Sequence, residues 1–401
     1  MKQKVAVVFG GTSPEHDVSV ITGLQALNAL DSSKYEGFPV YITAEGHWLT
    51  GDVLRERGNY MLDAARRKQT TRVTPALAAR KPTLMPMEPS AWSFRKQPAV
   101  EFDVALLALH GGHGEDGSIQ GLLDVCGIPY TGTRPMASAV LMDKAATKLI
   151  LKALGIPALP HVAIDKPDPD RLAAFNQELG RTVDALQGPW CVKPAHLGSS
   201  IGVAQANNTD ELGAVLLNIF RLDSQAVVEP FVPNLVEYNV AVRNGPDGPI
   251  TSAIERPKRS GELLDFVQKY GSGVGPKTGL KQPGAASQGM LSLSREIGPA
   301  LPQGREQEIR DWASRICAAL GLAGTPRVDF LGNAETGEIW LNEVNTMPGS
   351  FAYYLWEAAP KPMLFTELMD ELIAEALAMG TDRRSGDDPV PKEARLFPRR
   401  E

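Results

Sequence analysis

The segment RVDFLGNAETGEIWLNEVNTMPG, residues 327–349, carries Arg327, Asp329, Glu343 and Asn345 on two short apolar runs joined by a polar turn. Side chains alternate faces along a strand, so Arg327 and Asp329 share one side of the first run, and Glu343 and Asn345 one side of the second. The turn NAETGE can close the runs into a hairpin and bring those two sides together. Two carboxylates and an amide supply three oxygen donors with no Cys or His beside them. That set suits a hard cation such as Mg²⁺ or Mn²⁺ better than zinc. The same residues would also suit a hairpin edge facing water, so other segments have to discriminate.

Several do. KPAHLGSSIGV combines Lys193 with Gly198, Ser199, Ser200 and Gly202 in a tight turn between apparent strands. Glycines let backbone N–H groups approach phosphate oxygens, hydroxyls add donors and the lysine adds charge. The spacing matches neither the Walker pattern nor a dinucleotide fingerprint, and taken alone it is a hairpin turn. Lys144 in LMDKAATK lies on a helical pattern, where a solvated lysine is the ordinary reading. VVEPFVP, residues 227–233, reads as a strand running into a hinge whose backbone could hydrogen-bond a base, or as a buried strand ending at prolines. GGTSPEH and HGGHGEDG each follow a strand and open a helix, the edge at which open sheets place ligands. Glu15, His16, His110, His113, Glu115 and Asp116 would converge there near two helix N-termini.

These residues need elements to hold them. The 401 residues suffice for two or three domains. A net charge of −6 gives no basic balance for nucleic acid, which is excluded as an expected partner. Cys126, Cys191 and Cys317 are odd in number and widely spaced, which predicts reduced thiols and a cytoplasmic protein. The apolar run in MKQKVAVVFGG is too short for a secretory or membrane-spanning segment, so no membrane partner is expected. Strand and helix signals alternate through the first segment, with Ser13 and Pro14 suited to begin a helix, and predict a parallel, doubly wound sheet decorated by residues 59–99. The stretch from PWCVKPAH onward pairs strands through short Gly-rich turns and predicts antiparallel structure. DFVQKYGSGVGPKTGLKQPGAASQGM lacks apolar periodicity and reads as a mobile lid, and the charged tail 381–401 as disordered.

Taken together, VAVVFGGTSPEHDVS, HGGHGEDGSIQGLLDVCGIPYTG, LMDKAATK, VKPAHLGSSIGV, VEYNVAV, the KY of the lid, RVDF and LNEVNTMPGS resemble, in order, the D-alanine–D-alanine ligase family of the ATP-grasp superfamily. The resemblance implies an α/β and α+β chain: a Rossmann-like pre-ATP-grasp domain at 1–134, a central ATP-grasp lobe at 135–235 and a C-terminal lobe at 236–380. It implies ATP as co-substrate, two Mg²⁺ or Mn²⁺ ions held by Asp329, Glu343 and Asn345, D-alanine or a similar small amino acid as substrate, and a homodimer. Arg327 resembles the arginine that stabilises the tetrahedral oxyanion. Lys144, Lys193 and the backbone of Ser199, Ser200 and Ile201 would meet phosphates. Glu229 and Val232 would form the adenine hinge, and Glu237 would hold the ribose. Glu15 would bind the first substrate's ammonium group, with His110 lining that pocket. Glu15, Ser199 and Tyr270 would fasten the lid and bring Lys269 to the transferred phosphate. Gly349 and Ser350 would bind the second carboxylate.

The implied function is ATP-dependent joining of two D-alanines through an acyl phosphate for peptidoglycan precursor synthesis. The alternative is a related ATP-grasp ligase joining other amino-acid pairs. Two features depart from the commonest family pattern. The lid is long and glycine-rich, and Tyr354 stands near where a serine often helps bind the second carboxylate. Tyr270 favours an amine nucleophile over a D-hydroxy acid.

Overall fold

VAVVF, residues 5–9, is an unbroken apolar run, the pattern of a strand covered on both faces. In the computed structural model, which describes residues 2–60, 64–77, 79–87, 98–258, 295–302 and 304–384, it forms β1 (Gln3–Gly10). β1 lies between two parallel neighbours, β2 (Tyr35–Ile42) and β7 (Val104–Leu107). Its odd residues Val5, Val7 and Phe9 enter one core and its even residues Ala6 and Val8 another. The expectation of a parallel sheet holds for this centre alone. β3 (Trp48–Thr50), β4 (Thr71–Pro75), β5 (Thr83–Pro86) and β6 (Val100–Glu101) continue the sheet antiparallel, in the order β6-β5-β4-β3-β2-β1-β7. The described part of 59–99 therefore extends the sheet rather than decorating it, because short hairpin connections require antiparallel neighbours.

The first helix is His16–Ala29, with Glu15 at its N-cap. It begins two residues later than Ser13–Pro14 suggested, because Ser13 caps a turn instead: its Oγ accepts from Glu15 N at 3.0 Å and its carbonyl from His16 N at 3.1 Å.

A second sheet, order β10-β9-β11-β8, is antiparallel at each pairing. It comprises β8 (Val162–Asp165), β9 (Trp190–Pro194), β10 (Ala204–Ala206) and β11 (Gln225–Pro230). The third, order β14-β13-β12-β15-β16, comprises β12 (Leu235–Gly245), β13 (Gly248–Pro257), β14 (Arg295–Ile297), β15 (Arg327–Asn333) and β16 (Ile339–Asn345).

Core membership crosses the domain boundaries read from sequence. Leu141 and Leu151, on helices Pro135–Met142 and Lys144–Ala153, pack with Val240, Val328 and Leu341 of the third sheet. Leu368, Met369 and Leu372 of the last helix, Phe365–Arg384, pack with Val5, Val7 and Phe9 of the first. That helix runs past residue 380 into the segment expected to be disordered; 385–401 lie outside the described residues, as do 259–294 with the expected lid, Lys269 and Tyr270. Gly324 shows how closely the parts meet: at φ +84°, a Cβ there would lie 2.9 Å from Gly132 Cα. Among the described residues no helix is long and apolar enough to cross a membrane.

Candidate active site

The hairpin read from 327–349 forms with a register that explains its polar face. Arg327 pairs with Asn345 and Asp329 with Glu343, and between Asp329 and Phe330 the register shifts so that Asn342 is the extra residue. A bulge of this kind re-aims side chains locally. Asn342 and Glu343 consequently both reach lysines, Lys193 Nζ lying 2.9 Å from Asn342 Oδ1 and Lys144 Nζ 3.9 Å from Glu343 Oε2. Arg327 donates to both oxygens of Asp329, Nε to Oδ1 and Nη2 to Oδ2, each at 2.7 Å. Asn345 Nδ2 donates to Asp329 Oδ2 at 2.8 Å. Burial opposes the Arg327 charge, but Asp329 holds its pKa well above the usual arginine value. The rung continues across the sheet, Asp329 pairing with Asn239 and Asn239 with Glu255. Glu343, Asp329, Asn239 and Glu255 thus lie in register on four adjacent strands and share one face.

Lys144 meets the Glu343 end of this rung, Lys193 meets Asn342 beside it, and Lys148 joins Lys193 at Glu229. Lys144 opens its helix behind the N-cap Asp143, whose Oδ1 accepts from Ala145 N and Ala146 N at 2.8 and 3.0 Å. Its Nζ donates to Leu197 O at 2.6 Å, and burial lowers its pKa against the pull of Glu343. Glu229, 1 % exposed, is shared by Lys148 at 2.5 Å and Lys193 at 2.6 Å. Burial alone would raise its pKa, but the two lysines hold it at about 2. One carboxylate compensates only one ammonium fully. Lys193, opposed by burial, is held above the usual lysine range chiefly by Glu229, whereas burial drives Lys148 below it. The cluster keeps a net positive charge in a largely desolvated setting, a place for phosphate oxygens.

The turn at 198–202 meets the N-terminus of the first helix, beside the first sheet, at Glu15. Ser199 and Ser200 have φ of 52° and 59°, and Ser199 Oγ donates to Glu15. Left-handed backbone at non-glycine residues costs about 1–3 kcal/mol each and clusters at functional sites. A second such run is Ser350, Phe351 and Ala352, with φ of 51°, 57° and 49°. His196 anchors the start of the turn through Asp223, its N donating to Oδ2 at 2.7 Å and its Nδ1 lying 2.8 Å from Oδ1. Glu237 lies on β12, and Val232 packs with Leu159 and Leu331 in a small apolar cluster beside Trp340.

The first-sheet loops converge in part. Glu15 and His110 are buried, whereas His113 is 70 % exposed and pairs with Asp116 at 3.0 Å. His16 is held by Gly11 O and Tyr41 Oη. So three of the six residues read from sequence, Glu15, His110 and Glu115, turn inward; the 3₁₀ turn Gly112–Gly114 carries His113 outward. His110 Nε2 lies 2.9 Å from Thr22 Oγ1, and burial pushes its pKa down to about 4, leaving a neutral ring. Glu115 Oε2 accepts from Gly111 N at 2.7 Å and Oε1 from Met347 N at 3.2 Å. Gly111 also permits the close approach of Glu15: a Cβ on it would meet Glu15 Oε2 at 2.2 Å.

Burial, with the charge of Glu15 added, raises the Glu115 pKa to about 8. An unfolded glutamate titrates near ~4.3, so the folded chain binds the extra proton between these values. This contribution to stability is full below pH ~4.3 and is lost as pH rises through about 8. Glu115→Gln is expected to remove that loss, its urea midpoint gaining on the wild type from pH 5 to 8. A constant difference across that range would contradict the assignment.

Sequence reasoning missed Lys148, Asn342, Glu255 and Thr22. Lys148 follows Lys144 by one helical turn and was legible as an i, i+4 pair; Asn342 was not, since it depends on the bulge. Ser350, expected to hold a carboxylate, gives its N–H to Thr22 Oγ1 at 3.1 Å and its hydroxyl to Gln25 Oε1 at 2.6 Å. Gly349 opens the 3₁₀ turn beside it. Among the described residues, no three His, Cys, Asp or Glu side chains gather as a metal site, so the expected ion set depends on the amide of Asn345 as its third donor.

The profile for the D-ala D-ala ligase N-terminus matches residues 4–133, and that for the D-ala D-ala ligase C-terminus residues 150–374. The D-alanine–D-alanine ligase of Chlorobium limicola is 36% identical over 378 residues, covering 93% of this chain and 96% of the relative. That of Geobacillus kaustophilus is 33% identical over 405 residues, covering 98% and 100%. Among solved structures, the D-alanine–D-alanine ligase of Coxiella burnetii has a similar fold, with a TM-score of 0.74 at 24% identity over 96% of each chain. A D-Ala:D-Ser ligase from Enterococcus faecalis superposes with a TM-score of 0.71 at 25% identity, covering 94% of this chain and 100% of that one.

Proposed function

The chain belongs to the D-alanine–D-alanine ligase family, and from that premise we propose how its own residues carry the reaction. It is an ATP-dependent ligase that joins two D-alanines and releases ADP and phosphate, supplying the dipeptide for peptidoglycan precursors. A carboxylate oxygen of the first D-alanine attacks the γ-phosphorus and ADP leaves. The amine of the second attacks the acyl carbon of the resulting acyl phosphate and loses a proton, and phosphate departs with its electron pair.

The observation that carries the residue assignment is the in-register rung opposite the lysine cluster. Lys144 and Lys193 neutralise phosphate oxygens, and the backbone of Ser199, Ser200 and Ile201 covers them. Glu229 aims Lys148 and Lys193, so the adenine takes backbone groups of the hinge, with Val232 and its apolar neighbours as the base slot. Glu237 takes the ribose. Two carboxylates and one amide of adjacent strands fit a pair of Mg²⁺ or Mn²⁺ ions, held by Asp329, Glu343 and Asn345. When bound, such ions neutralise charge developing between the β- and γ-phosphates. Glu15, tied to Ser199, receives the first ammonium group beside the neutral His110. Arg327, fixed by Asp329, stabilises the oxyanion of the tetrahedral intermediate. Gly349 and the 3₁₀ turn beside it close the acceptor side. Lys269 and Tyr270 act from the segment outside the described residues, Tyr270 with Glu15 and Ser199. The protein works as a cytoplasmic homodimer.

A second reading rests on Tyr354, whose hydroxyl donates to Glu255 at 2.9 Å on the acceptor side of the rung. A different acceptor pocket would take a different second amino acid. Purified protein incubated with ATP, Mg²⁺ and single or paired D-amino acids, with products identified by mass, separates the two. D-alanyl-D-alanine as the main product is expected; a mixed dipeptide in excess would favour the second reading.

A further inference from the structure

An acceptor amino acid brings a carboxylate into this cleft, and the Ser350 donors that would meet it are already engaged by Thr22 and Gln25. Arg295, the first residue of β14, is differently placed. Its Nη1 donates to Glu255 Oε2 at 3.0 Å, and its guanidinium carbon lies 4.4 Å from the centre of the Tyr354 ring. Its Nε is buried and has no hydrogen-bond partner among the described residues. Nε and the neighbouring Nη form the fork by which an arginine takes a carboxylate side-on, as Arg327 does with Asp329. We infer that Arg295 binds the carboxylate of the acceptor amino acid through its Nε edge, with Glu255 and Tyr354 as the positioning residues that aim it. This rests on the ligase reading of the same cleft.

The surroundings are built for aiming. Glu255 is 1 % exposed, and its carboxylate accepts from Arg295, from Tyr354 Oη and, at 3.0 Å, from Asn239 Nδ2. It is the fourth member of the rung that begins at Glu343 and passes through Asp329. Two strand spacings, about 10 Å, therefore separate it from Asp329. Burial opposes the Arg295 charge, but Tyr354 and Glu255 hold its pKa above the usual arginine value. An α-amino acid carries its amine one tetrahedral carbon from its carboxylate, so a carboxylate fixed at Arg295 directs the amine along the rung toward the carbonyl stabilised by Arg327. Tyr354 supplies the flat face on which the guanidinium rests, and its hydroxyl fixes the Glu255 rotamer.

The test compares two acceptors that differ only in charge. Full-length protein is given ATP, Mg²⁺ and D-alanine as donor, with D-alanine or D-alaninamide as acceptor, and each product is quantified by mass. Added hydroxylamine traps the acyl phosphate as a hydroxamate and reports the first half-reaction separately. The wild type should favour the acid over the amide, and Arg295→Gln should raise the acceptor KM for D-alanine about 100-fold, the order seen when one partner of a desolvated charge pair is removed. The amide should change by less than about 3-fold, and Arg295→Lys should restore part of the loss. Glu255→Gln, which frees the guanidinium without removing it, should raise the acid KM about 10-fold and leave the amide unaffected, so the proposal stays refutable if Arg295→Gln does not fold. Equal losses for both acceptors, or no loss for the acid, would overturn the inference. A wild type that forms neither hydroxamate nor dipeptide would overturn the ligase reading, and the inference with it.

Discussion

Glu343→Ala is expected to lower turnover by at least about 10³-fold while the fold survives, because on the proposed assignment the lost oxygen would hold an ion that offsets charge developing during phosphoryl transfer. The Glu343 side chain is 24% exposed, and its contact with Lys144 is 3.9 Å long. Truncation opens no apolar cavity, and the contact it removes from Lys144 is a long one, so the thermal midpoint should move far less than turnover does. Asp329→Ala is a harsher change, since it also releases Arg327 and Asn345 from their hydrogen bonds. Glu343→Ala is thus the cleaner probe. ADP release measured beside a circular dichroism melt checks it. Turnover within 10-fold of wild type would refute the metal assignment.

Glu229→Gln should have the largest effect on stability. Its carboxylate is buried between Lys148 and Lys193, and the amide leaves both ammonium groups without a counter-charge. Breaking a buried pair in this way costs about 3–5 kcal/mol. The wild-type contribution has a defined pH dependence. A carboxyl held at about 2 when folded, against ~4.3 unfolded, stabilises fully above pH ~4.3 and ceases to do so as pH falls through 2. The gap in urea midpoint between wild type and Glu229→Gln should therefore be widest near neutrality and shrink below pH 4. An unchanged midpoint at pH 7 would show that the lysines find other partners.

Much of the site was legible because it obeys local rules. The alternation of RVDF and NEVN placed Arg327, Asp329, Glu343 and Asn345 on facing sides of one hairpin, and the structure pairs them in register. Lys193 and the serines of GSS lie on and beside one hairpin strand, so their proximity follows from chain continuity. What sequence could not show depends on long-range register. Glu255 reaches the rung only because β12 pairs with both β13 and β15, and Glu115 turns inward because Met347 and Gly111 supply its donors. The antiparallel extension of the first sheet escaped notice because β3, β5 and β6 are two to four residues long, too short for periodicity to register. The packing of the last helix on the first sheet joins residues more than 300 positions apart, and no local pattern encodes that.

The central claim is that a D-alanine carboxylate attacks ATP in the cleft between the rung and the lysine cluster. Its most direct test supplies D-alanine labelled with ¹⁸O in both carboxyl oxygens, with ATP and Mg²⁺, and weighs the released phosphate and the dipeptide. The account predicts one labelled oxygen in each phosphate, three in each dipeptide, and neither product when EDTA removes the metal. Dipeptide accompanied by unlabelled phosphate would contradict the acyl phosphate and the site built around it.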